Sequence, residues 1–412
     1  MITPLDLASA TISAVKIRAV TLGLDLPMPD VEDAPFIAAG RFLAAARDAF
    51  AAADLEVQTS RVAGADLASG LSQLRRGLKA WAADTEAAAK SHGVEYLSLG
   101  RVPASAHTLV AEEVAPILAA GEIAFISADL VEGRVASVPM ARACGRAVTQ
   151  LAATTPQGFG NLRFAATASC PPNIPFLPAA YHGGGPPRFS VAVQAADVVV
   201  DALYAPGGMS DLEDRLVEGL EEACAPVERV GDRLAAEYGY PFVGIDLSPA
   251  PFPDDAISIG AAIEHAGVDR FGAPGTLYVA ALITRAIRRT RVRRCGFSGL
   301  MLPLLEDSML ARRAAECPPS LHELLVYSAV CGTGLDTVPV PGDIGESELA
   351  GVYLDVAALS LALEGKPLTV RVMPVPGAAA GDPTSFSFDY FANSRVLAKA
   401  GAGATRILER GP

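Results

Sequence analysis

Apolar residues recur along this chain in two alternating rhythms. The run IRAVTLGL at 17–24 is short, rich in β-branched residues and closed off by Pro27 and Pro29, so it reads as a buried strand. The next run, 36–53, sets Phe36, Ala39, Phe42, Leu43, Ala46 and Phe50 three or four positions apart, with Arg41 and Asp48 off that line. Such spacing gathers the apolar side chains on one stripe of a helix. Continued along the chain, the spacing predicts further strands over 56–61, 96–99, 122–127, 162–167, 189–194, 242–247, 295–301 and 368–373. It predicts helices over 66–91, 105–120, 134–153, 257–267, 276–289, 306–316, 321–330 and 346–363. The tetrapeptide Ser210-Asp211-Leu212-Glu213 has the form of a capping box that opens a long helix, which Pro226 is expected to bend or split. Residues 331–345 read as a Gly/Pro loop.

Strands that alternate with helices imply a parallel sheet with crossover helices, either closed into a barrel or open. No Ser/Gly linker or charge run divides the chain, and the Pro/Gly cluster at 171–187 lies between strongly apolar elements. We therefore expect one domain over 1–412.

Charge and composition narrow the function classes. Thirty-three Lys and Arg against 46 Asp and Glu give a net charge of −13, which disfavours a phosphate backbone as partner. With 51% hydrophobic and 19% charged residues the chain is globular rather than disordered. The cysteines, Cys144, Cys170, Cys224, Cys295, Cys317 and Cys331, form no CxxC pair, as expected of reduced thiols in a cytoplasm. No stretch approaches the roughly 18 apolar residues of a spanning helix, so neither nucleic acid nor membrane is expected as a partner.

Four segments place polar residues and Gly/Pro turns directly after strands or helices, where α/β proteins bind ligands. In NLRFAATASCPPNIPFLPAAYH (161–182), Asn161 and Arg163 are candidate substrate ligands and His182 a candidate acid, base or metal ligand. A structural carboxylate for Arg163 and loop hydrogen bonds for His182 are the plain alternatives. In GIDLSPAPFP (244–253), Asp246 and Ser248 end a buried strand, where a carboxylate must be paired, protonated or used as a cap. In CGFSGLMLPLLEDSMLA (295–311), Ser298 lies between glycines, while Glu306 and Asp307 stand where a helix dipole favours acids. In YSAVCGTGLDTVPVPGD (327–343), Cys331 precedes a rigid polar loop carrying Gly332, Thr333, Gly334, Asp336, Thr337 and Asp343. Asp336 and Asp343 could hold a divalent cation such as Mg or Ca, or act as acid and base. A basic run from Arg285 to Arg294 suits a helix end facing solvent, with an anion site as its alternative. There is no HExxH, Walker or dinucleotide motif, and GFSGL is not a GxSxG elbow.

These four segments, with IRAVTLGL at the start, resemble in order the motifs of the domain-of-unknown-function 711 family, also called uncharacterised protein family 0210. The likeness covers most of the chain. It implies a ten-stranded β/α barrel like that of pyruvate formate-lyase and the glycyl-radical enzymes, assembled as a homo-oligomer. The C-terminal stretch SRVLAKAGAGATRILERGP lacks the RVxGY-type surroundings of a glycyl radical, so a radical mechanism has no residue to start from. The tail departs from relatives at Ala378-Ala379-Ala380 and at FSFDYFANSRV, which replace more polar and Gly-rich stretches.

The resulting expectation is a non-radical lyase or hydrolase acting on a small anionic metabolite in the barrel mouth. Asp336, Asp343 and Asp246 would supply metal ligands or acid/base groups, His182 or Cys331 would join the chemistry, and Arg163 would bind the anion. The amides of Gly332 to Gly334 would cradle an oxyanion, and Asp336→Asn would abolish turnover with folding nearly intact. The rival expectation is a non-catalytic metabolite-binding or regulatory protein built on the same pocket.

Overall fold

A computed structural model describes residues 15–74, 77–399, 401 and 403–409. Positions 75 and 76 of the expected helix 66–91, and 400, 402 and 410–412 of the C-terminal tail, lie outside the described residues.

Strand β1 (Lys16–Gly23) begins the sheet. It is followed by β2 (Val57–Ala63), β3 (Tyr96–Val102), β4 (Ala124–Asp129), a small hairpin of β5 (Val131–Glu132) and β6 (Val135–Ala136), and β7 (Phe164–Ala168). Then come β8 (Arg188–Gln194), β9 (Phe242–Asp246), β10 (Gly334–Pro341) and β11 (Leu368–Val375). Apart from the hairpin these strands make one nine-stranded sheet in the order β10-β11-β7-β4-β3-β2-β1-β8-β9. Strands β1, β2, β3, β4 and β7 run parallel to one another. Two parallel pairs, β8 with β9 and β10 with β11, flank them in the opposite direction, joined antiparallel through β1 with β8 and β7 with β11.

The expected crossover helices are present. α1 (Asp33–Ala51) buries Phe36, Ala39, Phe42, Leu43, Ala46 and Phe50, the stripe that its spacing foretold. It is followed by α2 (Leu78–Ser91), α3 (His107–Leu109), α4 (Ala115–Ala120) and α5 (Val138–Thr154). α5 is capped by the Ser137 hydroxyl, which accepts from Met140 N at 3.2 Å. α6 (Ala196–Tyr204) was not foreseen, because its Val198-Val199-Val200 run lacks helical periodicity. α7 (Met209–Tyr238) runs through Pro226 unbroken, with Leu212, Leu216, Leu220, Val227, Val230 and Leu234 buried, so packing outweighs the amide hydrogen bond that proline cannot make. The capping box expected at Ser210 is not formed; Gly208 is the N-cap and the Ser210 hydroxyl donates to Asp211.

Two further expectations are corrected. Residues 66–91 do not form one helix: among the described residues the α-helix is Leu78–Ser91, Leu71–Gln73 makes a short 3-10 turn, and Asp66 bridges to β3 at Arg101. The loop expected over 331–345 contains β10, whose Pro339 and Pro341 are tolerated because β10 lies at an edge of the sheet.

The remaining α-helices are α8 (Ile259–His265), α9 (Thr276–Arg289), α10 (Ser308–Glu316), α11 (Leu321–Ser328), α12 (Glu346–Ala362) and α13 (Thr405–Glu409). Asp307 caps α10, its Oδ1 accepting from Met309 N at 2.9 Å and Leu310 N at 3.0 Å. Four arginines of the Arg285 to Arg294 run are paired by α7, and Arg294 donates to Ile287 O and Thr290 O. Arg285 and Arg289 meet Glu213, Arg291 meets Glu221 and Arg293 meets Asp232.

A tenth strand over 295–301 is not formed; Arg294 makes a single parallel bridge to Ile245. Residues 293–304 nevertheless touch both edges of the sheet. Ile245 N donates to Arg293 O at 2.8 Å and Cys295 N to Ile245 O at 2.9 Å on the β9 side. On the β10 side Gly332 N donates to Leu300 O at 2.6 Å and Leu304 N to Asp336 O at 3.3 Å. Among the described residues no helix is long and apolar enough to cross a membrane.

Candidate functional site

The Pro-rich segment 170–182 packs across the side chains of one sheet face. Thr21 donates to Pro175 O at 3.5 Å, Arg61 to Pro175 O at 3.3 Å and Ser98 to Ala180 O at 2.6 Å, so the segment is tied to β1, β2 and β3 in turn. It delivers Tyr181 and His182 to the carboxyl ends of these strands. There a cleft of ≈ 520 Å³ opens, lined among others by Asp25, Asp66, Trp81, Arg101, Tyr181 and His182. That volume suits a small metabolite.

Arg101, at the end of β3, organises the charges beside this cleft. Its Nε and Nη2 donate to Asp66 Oδ1 at 3.2 Å and Oδ2 at 3.1 Å, a bidentate pair. Its Nη1 donates to Asp129 Oδ2, at the end of β4, at 3.2 Å. The guanidinium also lies 4.5 Å from the centre of the Tyr181 ring, and the Tyr181 hydroxyl donates to Cys170 O at 3.1 Å. Burial pushes the Asp129 carboxyl up to about 6, against the backbone hydrogen bond from Val131 and the charge of Arg101. This places its titration close to neutrality.

His182 is enclosed. Its Nε2 donates to Gly185 O at 3.1 Å, its Nδ1 faces the Asn173 amide oxygen at 3.3 Å, and Asp25 Oδ1 stands 3.8 Å from Nε2. Gly23 makes room for the ring, because a Cβ there would sit 2.8 Å from His182 Nδ1. The imidazole therefore holds the glycine turn at 183–185 against the cleft wall.

Behind the cleft lies a second cluster. Arg371 on β11 donates to Asp336 Oδ1 on β10 at 2.6 Å and to Glu306 Oε1 at 3.2 Å, while Arg18 on β1 donates to Glu306 Oε2 at 3.2 Å. Asp336 is thus neutralised inside the protein, whereas Asp343 is largely exposed and meets Lys399 at 3.0 Å. The two aspartates expected to share a cation are each matched to a protein cation instead, and they do not make a metal-binding pair. Among the described residues no group of three or more His, Cys, Asp or Glu is placed to hold a metal ion.

The other expected site residues serve the scaffold. Arg163 donates to Leu118 O at 2.5 Å and Ala124 O at 3.5 Å, rather than standing free for an anion. Asn161 donates to Val148 O and Gly158 O. Asp246 accepts from Ser248 N and Oγ, Phe297 N and Ser298 N, and Ser298 in turn accepts from Leu247 N. These bonds tie the exit of β9 to the turn at 295–299. Gly296, at φ 65°, is needed in that turn, since a Cβ would lie 2.1 Å from Asp246 Oδ2. Cys331 is buried and accepts from Gly334 N at 3.4 Å, and Gly332 N is spent on Leu300 O. The expected oxyanion cradle at 332–334 therefore has two of its amides engaged. Thr333 and Thr337 are buried, and each Oγ1 lacks a partner among the described residues. A larger cavity of ≈ 700 Å³ reaches Cys331, Gly334 and Asp336, and Asp269, Arg270, Arg313 and Glu323 also line it; within it Arg313 is paired with Glu264 and Glu316, and Asp336 with Arg371.

Sequence reasoning missed Asp66, Arg101 and Asp129. A local signal existed: each is polar and stands at or just beyond the carboxyl end of an apolar parallel strand.

The sequence matches the family described as "Uncharacterised ACR (DUF711)" over residues 11–389. The chain belongs to that family. It is 38% identical over 231 residues to a UPF0210 protein of Pyrobaculum arsenaticum, covering 53% of this chain and 51% of the relative. A UPF0210 protein of Methanopyrus kandleri is 34% identical over 235 residues, 55% of this chain and 51% of the relative. One from Lactiplantibacillus plantarum is 31% identical over 277 residues, 65% and 61% of the two chains. The matched part of this DUF711 chain thus spans about half the length of the first two relatives.

Proposed function

We propose that this DUF711 protein is an enzyme carrying out acid–base chemistry on a small polar metabolite in the cleft at the carboxyl ends of β1, β2 and β3, of the lyase or hydrolase type and without radical steps. The observation that carries this reading is the Asp66–Arg101–Asp129 group beside a cleft of metabolite size. A carboxyl group that titrates at about 6 is well matched to taking up and returning a proton near neutral pH. Arg101 would bind and polarise an oxygen of the substrate, Asp66 would hold the guanidinium in plane, and Tyr181 would cover its face. His182 acts as a positioning residue through the turn at 183–185.

The charge balance revises the expected substrate. Asp25 and Asp66 outnumber Arg101 in the wall of the cleft, and Asp129 adds a further carboxylate on Arg101, which disfavours an anion and favours a neutral hydroxylated compound or an amine. The test is incubation of the purified chain with a polar metabolite extract, followed by mass spectrometry. A compound consumed by the wild type and spared by Asp129→Asn, with a rate loss of about 10²-fold or more, supports the assignment. Equal consumption by both proteins, or none by either, overturns it.

We also infer that the sheet closes as a ten-stranded barrel of the pyruvate formate-lyase kind, with residues 293–304 in place of the tenth strand. The two oppositely directed sets of parallel strands and the bonds from 293–304 to β9 and β10 support this reading. Slow amide exchange at both Cys295 and Gly332 is expected. Fast exchange at either in the native state would leave the sheet open.

A further inference from the structure

Within the space enclosed by β1, β2, β8 and the 170–182 segment, the cations outnumber the carboxylates that pair with them. Arg371 is matched by Asp336 and shares Glu306 with Arg18. Arg61, on β2, has no carboxylate partner among the described residues. Its Nε donates to Thr59 Oγ1 at 2.9 Å and its Nη1 to Pro175 O at 3.3 Å, both neutral acceptors, and its guanidinium lies 5.5 Å from the centre of the Tyr96 ring. Burial, and after it the charge of Arg18, pushes the Arg61 guanidinium down to about 10, against weaker opposing contributions from Tyr96, Tyr390 and Glu95.

A small cavity of ≈ 20 Å³ lies between the two arginines. Arg18, Arg61, Pro175, Phe176, Ser248 and Met301 contribute to its wall, and Asp246 reaches it as well. Space of this size takes one water or one ion of similar radius and no more. Asp246 does not serve as the counter-ion by contact, because its oxygens already accept four bonds from Ser248, Phe297 and Ser298 and no arginine reaches it. Glu306 divides its two oxygens between Arg18 and Arg371, and Glu95, whose charge reaches Arg61, is engaged by Arg47 and the Ser60 amide. The Arg18 side chain is 23% exposed, so the cavity has a polar wall that reaches solvent.

We propose that this cavity is a binding site for a single small monovalent anion of chloride size, held between Arg18 and Arg61 and neutralising the latter. The site is independent of the cleft at Arg101. Its size sets its selectivity: a monatomic halide fits, while gluconate is too large.

The test uses the full chain. Thermal unfolding at constant ionic strength, with chloride replacing gluconate, is expected to raise the wild-type midpoint by a few degrees and to saturate. Arg61→Met is expected to lose the chloride response. Should that variant fail to fold, Arg61→Lys serves instead, with a response that needs a higher chloride concentration. Anomalous diffraction from a crystal soaked in bromide reads the site directly, and a peak between Arg18 and Arg61 is expected. Equal midpoints in chloride and gluconate, a chloride response that survives in Arg61→Met, or no bromide peak there would each overturn the proposal.

Discussion

Arg371 Nε lies 2.6 Å from Asp336 Oδ1, with the two side chains only 7% and 2% exposed. Two residues on neighbouring strands thereby cancel each other's charge inside the protein, and Glu306, itself almost enclosed, closes the chain of pairs to Arg18. An aspartate that looked available for chemistry is a counter-ion.

Removing one member leaves the others buried and unmatched. Arg371→Met is expected to lower unfolding stability by about 3–5 kcal/mol, read from denaturant midpoints. Asp336→Asn is also expected to cost stability, contrary to the nearly intact folding expected of it as a purely catalytic residue. A wild-type midpoint for both variants would remove the pair from any structural role.

The raised Asp129 carboxyl predicts a pH dependence of definite sign. Its folded pKa of about 6 lies above the unfolded value, so the folded state binds the proton more tightly. Its contribution is fully present below about pH 4 and is lost as pH rises through about 6, for a span of roughly 3 kcal/mol at most. Stability profiles of the wild type and Asp129→Asn should therefore differ in slope between about pH 4 and 6, with the wild type falling relative to the variant. Parallel profiles would contradict the raised value.

Gly23→Ala tests the seat of His182. The added Cβ would meet His182 Nδ1 at 2.8 Å, and the ring must move or the strand must shift. A loss of about 1–3 kcal/mol is expected, together with displaced imidazole resonances in an NMR spectrum. Unchanged imidazole resonances would show that the ring does not pack against β1.

The arginines facing α7 predict the opposite extreme. The Arg291 side chain is 89% exposed, and solvent screens its pair with Glu221. Arg291→Ala should leave the unfolding midpoint unchanged within error, measured alongside Arg371→Met as a contrast.

How much was legible depended on how local the cause was. The stripe of α1 could be read because helical spacing alone brings Phe36, Phe42 and Phe50 to one side. β10 was hidden by its two prolines, since only the sheet order reveals that it is an edge strand. α6 was hidden by three consecutive valines whose helical state is set by what they pack against. Arg163 and Asp246 looked like ligand groups because the carbonyls and amides that satisfy them come from distant segments.

The sequence by itself determined the alternation of strands and helices, the buried face of α1 and the family, because each rests on spacing or on motifs within a short stretch of chain. Only the tertiary structure decided which polar groups pair inside the scaffold and which pair beside a cleft. Asp66, Arg101 and Asp129 are 35 and 28 residues apart and meet because β2, β3 and β4 are neighbours in one sheet. Charge pairing between strands is a matter of sheet order and enclosure, and neither leaves a pattern in the neighbouring residues of the chain.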